Sequence, residues 1–151
     1  GNRSPWSLRW PAGPDTEQRI ERELAELQFQ HPGGFLVRLH VLGDFYSVAY
    51  VDLWSTWLDK FPALHCYGYT ARSCEIGQAI AAIAKRQRRR FAIRSSDGVM
   101  PEMPASRVVE RGAPIPPQSI VCPVETKKSA ACATCALCWD QPQKTIIFLP
   151  H

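Results

Sequence analysis

Three short runs of branched and aromatic residues, separated by stretches of helical periodicity, limit this chain's folding options more than any other feature. FLVRLHVL spans Phe35–Leu42, HCYGYT spans His65–Thr70 and FAIR spans Phe91–Arg94. In the first, Val37, Leu39 and Val41 alternate with Arg38 and His40, the period-two pattern of a strand. Ser47 can cap an intervening helix in which Tyr50, Trp54, Trp57, Leu58 and Phe61 form a wide apolar stripe. A further helix over Glu75–Arg90 places Ile76, Ala79, Ile80 and Ile83 on one face. Strand, helix and strand joined by short turns require parallel pairing with right-handed crossovers. The expected class is α/β: a parallel β/α repeat forming an open sheet or a partial barrel.

The flanks extend that plan. Ile20, Leu24 and Leu27 recur at helical spacing in Thr16–Gln30, with Asp15 or Thr16 as cap and Gly33-Gly34 as terminator. Before it, residues 1–14 read as an extended arm carrying Trp6 and Trp10, with indoles packed on the body. The chain's thirteen prolines gather at the N-terminus and in Met100–Gln118, which together hold eight of them, so the latter reads as connection without strand. Ser119–Val121 and Thr145–Leu149 are the last expected strands. At 151 residues the chain reads as a single domain spanning 1–151. With 45% hydrophobic and 21% charged residues it is an ordinary globular composition. It has no internal repeat and no apolar run of membrane-spanning length, and the pattern contains no secretory signal, which implies a cytoplasmic protein.

Four of the six cysteines lie in CPVETKKSAACATCALCW, a loop over 122–139. Cys132, Cys135 and Cys138 form C-x-x-C-x-x-C, and Cys122 stands one short loop upstream. Cysteines two residues apart pair badly as disulfides, while thiolates at that spacing can turn toward one metal site. Small residues between them let the backbone approach closely, and Lys127 and Lys128 can offset negative charge. The candidate metal ligands are therefore Cys122, Cys132, Cys135 and Cys138. The cofactor is a [4Fe–4S] cluster, with zinc as the alternative, since both accept four thiolates. Cys66 reads as a small core residue and Cys74 as a plain buried thiol at a helix start.

Parallel α/β sheets bind ligands at the carboxyl ends of their strands. Those ends are Gly43-Asp44, Thr70-Ala71-Arg72, Ser95-Ser96-Asp97 and Cys122, so one rim would carry both the cysteine loop and a small-molecule site. Gly43, Asp44, Thr70 and Arg72 are the candidate residues for that ligand, with an Asx-type cap the other reading of Asp44. No catalytic group is assigned. His40 reads as a hydrogen-bonded core histidine rather than a base. Tyr67 and Tyr69 share a face, as core residues or with a hydroxyl at the rim. Arg72 and Arg94 are either anion holders or solvated surface arginines. The basic run Lys85-Arg86-Gln87-Arg88-Arg89-Arg90 complements a helix dipole, or else contacts nucleic acid, for which a net charge of +4 is permissive.

RLHVLGDFYSVAYVDLW, FPALHCYGYTAR, CPVETKKSAACATCALCW and the terminal IIFLPH, in that order, resemble the phage gene-product-88-like family over about Phe35 to His151. The resemblance implies a phage or prophage protein working inside a bacterial host, and no reaction. The strand followed by Gly43-Asp44 is similar to the segment of radical S-adenosylmethionine enzymes that holds the methionyl amine. That second resemblance implies a truncated or degenerate relative of those enzymes. Their C-x-x-x-C-x-x-C loop near the first strand is absent here, so only Gly43 and Asp44 carry over.

Overall fold

The computed structural model describes residues 9–150. Helix α1 (Pro14–Gln30) precedes strand β1 (Phe35–Leu39), and α2 (Val48–Lys60), β2 (Leu64–Thr70), α3 (Cys74–Arg86) and β3 (Phe91–Ser96) follow. Strands β4 (Ala105–Val108) and β5 (Ser119–Val121) lead to two single helical turns, α4 (Cys132–Cys135) and α5 (Leu137–Asp140), before β6 (Thr145–Phe148). All six strands form one open sheet in the order β1-β2-β3-β4-β6-β5, and every neighbouring pair is parallel. The expected α/β class and parallel topology are thus observed.

Alternation decides which side chains meet. Phe35, Val37 and Leu39 of β1, with Leu64 and Cys66 of β2 and Phe91 and Ile93 of β3, join the core under the helices. Trp54, Trp57 and Leu58 of α2, and Ile80 and Ile83 of α3, close it from above. Ser47 accepts a hydrogen bond from Tyr50 N at 3.1 Å, the expected cap of α2. Gly77 of α3 serves close approach: a Cβ there would stand 2.8 Å from both Arg72 O and Met100 Sδ.

The opposite face of the sheet is concave. Tyr69 of β2 and Phe148 of β6 are three strand spacings apart, roughly 14 Å in a flat sheet. Their ring centroids nevertheless lie 5.3 Å apart. Arg38, on one edge strand, and Cys122, just past the other, line a single cavity. The sheet therefore curls, and the segment between β5 and β6 fills the hollow. This crossover contains the cysteines, where α2 and α3 serve the earlier ones.

Several boundaries differ from the sequence reading. β1 stops at Leu39 because His40 adopts φ +49°, outside the extended region, and Val41 is left exposed. Helix α1 starts at Pro14, with Gly13 as its N-cap and no side-chain cap. The third helix ends at Arg86, so the basic run is divided: Arg90 turns inward and bonds Leu58 O, Phe61 O and Leu64 O. β4 lies inside the stretch read as a connection. Most of the arm's residues, Trp6 included, fall outside those described. Trp10 is 61% exposed rather than packed, with the Arg19 guanidinium 3.9 Å above its ring.

Candidate metal centre

Cys122 is delivered by β5: its N–H bonds Ile147 O at 2.8 Å, which continues the ladder one residue beyond the strand. The chain then doubles back, with Thr126 N and Oγ1 both on Cys122 O and Lys128 N on Pro123 O. Cys132 and Cys135 begin and end one helical turn, so they share a side. Ala136 breaks the helix in the left-handed region at φ +57°, and α5 restarts in a new direction with Cys138 in its first turn. The two short turns would run together as one helix without that reversal.

All four cysteines are free, and all four line one cavity of about 270 Å³ on the concave face. Arg38, Tyr69 and Phe148 form its sheet-side wall. Among the described residues no group of three or more His, Cys, Asp or Glu converges to hold a metal ion. Four sulfurs on one zinc would stand about 3.8 Å apart, the edge of a tetrahedron with 2.3 Å arms. The four cysteines here border one cavity. Four soft thiolates round one cavity are a donor set that suits either a zinc ion or an iron–sulfur cluster.

Two tyrosines and an arginine fix the loop against the sheet. Tyr69 Oη lies 3.0 Å from Cys138 Sγ. Burial pushes the Cys138 thiol up, opposed by that hydrogen bond and by Arg94. Burial, assisted by hydrogen bonding to Cys132, pushes the Tyr67 hydroxyl up to about 12. The Tyr67 ring meets Trp139 edge-on at 5.2 Å. Beneath them Arg94, 1% exposed, donates to the carbonyls of Cys138, Ala105, Lys144, Leu137 and Gln141 at 2.8–3.3 Å. It is not the surface or anion-holding arginine expected from its place near a strand end. Among the described residues it has no carboxylate partner, so a buried positive charge lies under the cysteine loop.

The other candidate residues sit elsewhere. Asp44 Oδ1 accepts Phe45 N at 2.8 Å and Thr70 Oγ1 at 2.7 Å, and Oδ2 accepts Ala71 N at 2.8 Å. Thr70 Oγ1 in turn accepts Arg72 N at 3.0 Å. The aspartate thus ties the loop after β1 to the end of β2, and Thr70 is buried behind it. Gly43, Asp44 and Arg72 border a cleft of about 790 Å³ with Trp10, Tyr46 and Tyr50. This cleft shares no lining residue with the cysteine cavity. A single rim holding both is therefore not what the fold provides, because the cysteine crossover occupies the face opposite the helices.

His40 is not mid-strand. Its Nε2 lies 3.1 Å from Tyr50 Oη, its ring packs on Phe45 at 4.3 Å, and its Nδ1 is buried without a partner. Burial lowers its pKa to about 4, against the pull of Asp44. Cys66 is a core thiol, pushed up by burial, as its strand position implies. Cys74 is exposed, not buried. Sequence reasoning gave no site role to Arg38 or Arg107. Arg38 reads there only as a polar strand residue at the start of RLHVLGDFYSVAYVDLW, and Arg107 lies in the unrecognised β4.

An open, all-parallel α/β sheet with helices on one face and a four-cysteine cavity in the other defines the class of this protein. A family model described as gene product 88 matches residues 6–88, more than half of the chain, and the protein belongs to that family. That match covers α1 to α3, and the cysteine segment lies beyond it. No curated protein and no solved structure matches the chain. No helix among the described residues is long and apolar enough to cross a membrane.

Proposed function

We propose that the chain is an iron–sulfur protein whose Cys122, Cys132, Cys135 and Cys138 hold a [4Fe–4S] cluster in the hollow of the sheet. One observation carries this reading: all four free thiols line a single cavity. The surroundings support it. Cluster and thiolates together would be anionic, and buried Arg94 is a positive charge without a carboxylate. The Tyr69 hydroxyl is already within hydrogen-bond distance of a ligand sulfur, the kind of contact that orients and tunes such sites.

When bound, the cluster would supply one-electron storage with every iron held by a protein thiolate. The chain's own residues exclude water, fix the loop and neutralise charge. With no free coordination position, the protein would be an electron carrier or a cluster-stapled scaffold. As a relative of radical S-adenosylmethionine enzymes it would be a degenerate one. Gly43, Asp44 and Arg72 border a cleft that can take a separate small ligand.

Anaerobic reconstitution with ferrous iron and sulfide tests the reading. The expected product is a brown protein absorbing near ~400 nm with about four irons per chain. Cys135→Ser should lose most of that iron. A colourless protein that takes one zinc per chain and no sulfide would establish the zinc-stapled module instead.

A further inference from the structure

A second pocket, of about 240 Å³, adjoins the cysteine cavity and shares Arg38, Tyr69 and Phe148 with it. Its remaining wall comes from the ends of β3 and β4, namely Ser96 and Asp97 on one side and Ser106 and Arg107 on the other. It thus lies where parallel sheets receive ligands, beyond the carboxyl ends of the strands. The backbone there is held open in a defined way. Asp97 N donates to Ser106 O at 2.7 Å, and Asp97 and Gly98 both take positive φ, at +54° and +70°. A Cβ on Gly98 would stand 3.5 Å from Arg107 Nη2, so the guanidinium lies alongside that turn.

The charges in this pocket are unmatched. Among the described residues neither Arg38 nor Arg107 forms an ion pair, and no side-chain hydrogen bond is made by Arg38, Arg107 or Asp97. Arg38 instead lies over the Tyr69 ring, 5.9 Å from its centroid. Arginine pairs with planar or tetrahedral oxyanions through a fixed fork of donors. Two of them around one small pocket, with two serine hydroxyls, fit one small anion, and Asp97 fits a hydrogen-bond donor beside it.

The geometry points to a binding site for a small oxyanion, a carboxylate or a phosphate bearing an adjacent hydroxyl or amine, held by Arg38 and Arg107. The site deepens the iron–sulfur reading and rests on it only for the ligand's place beside a cluster. Arg38 connects the two, because the ring it covers is the one whose hydroxyl meets Cys138.

Calorimetric titration of the full chain with inorganic phosphate and with malate tests this. At least one should bind saturably below ~10 mM, and the tighter of the two identifies the anion class. Arg38→Gln and Arg107→Gln should each weaken it about tenfold or more, with melting temperature little changed because both side chains are exposed and make no ion pair or side-chain hydrogen bond among the described residues. Arg107→Lys should fall between, keeping charge without the fork. Arg22→Gln, an exposed arginine on α1, should change nothing. Absence of saturable binding, equal affinity in all variants, or an equal loss in Arg22→Gln would overturn the site. The two readings fail separately. Arginine-dependent binding by a chain that takes up no iron would sink the cluster alone. A fully loaded cluster without such binding would sink the anion site alone.

Discussion

Asp44 engages both carboxylate oxygens, in three hydrogen bonds that close β1 onto β2. Asp44→Ala should therefore cost roughly 2–4 kcal/mol, since Thr70 and Ala71 lose a charged acceptor. Thermal unfolding measures this, and a variant as stable as the parent would return the carboxylate to ligand duty. His40 makes a prediction in pH. Its folded pKa, about 4, lies below the ordinary 6.5. As pH falls below 6.5 the unfolded chain takes up this proton first, so stability drops between 6.5 and about 4 and is full only above that window. The loss is at most about 3.5 kcal/mol, at about 1.4 kcal/mol per unit. His40→Gln should flatten that part of the melting-temperature profile, leaving the carboxylates to account for the rest. Both side chains were recognisable as candidates from their neighbours in sequence. What they face was not, because it depends on the β1–β2 register, which sets Leu39 opposite Gly68, and on the turn at His40.

Elements were legible where a period repeats. α2 and α3 show broad apolar stripes, and β1 to β3 show branched residues in alternation, so both helices and the parallel pairing follow from the pattern. β4 was not legible. Ala105–Val108 is four residues long with only Ser106 buried, and it sits among prolines, so neither alternation nor hydrophobicity marks it. Cys122, Cys132, Cys135 and Cys138 could be grouped from spacing, yet the face they occupy could not. That choice belongs to Arg94, whose strand position alternates onto the concave side beneath the β5–β6 crossover. Arg94→Met should remove donors from five carbonyls together and cost at least about 3 kcal/mol. Arg94→Lys should rescue little, because an ammonium cannot reproduce the guanidinium fork. Unfolding curves, with iron content after reconstitution, would check it. Melting temperatures equal to the parent's in both variants would mean that the loop docks without the clamp.

At the scale of the molecule the sheet separates two differently packed faces. The helix-facing core runs from Leu24 to Met103 and includes none of the four clustered cysteines. The concave side holds the cysteine segment through Arg94, the Tyr67–Trp139 contact and the Tyr69–Cys138 bond. Metal binding contributes folding energy where the ligands lie in a loop with little core of its own, so loss of the proposed cluster from reconstituted protein should act locally. Cluster removal with ferricyanide and chelator should leave amides in α2, α3 and β1 to β3 at their parent exchange rates. Amides in 122–140 should then exchange at least about tenfold faster, the response of a segment that opens as its own unit. Hydrogen-exchange mass spectrometry resolves these stretches. Uniform acceleration across both faces would mean that the hollow and the helical core fold as one unit, with the cysteines supporting the whole sheet.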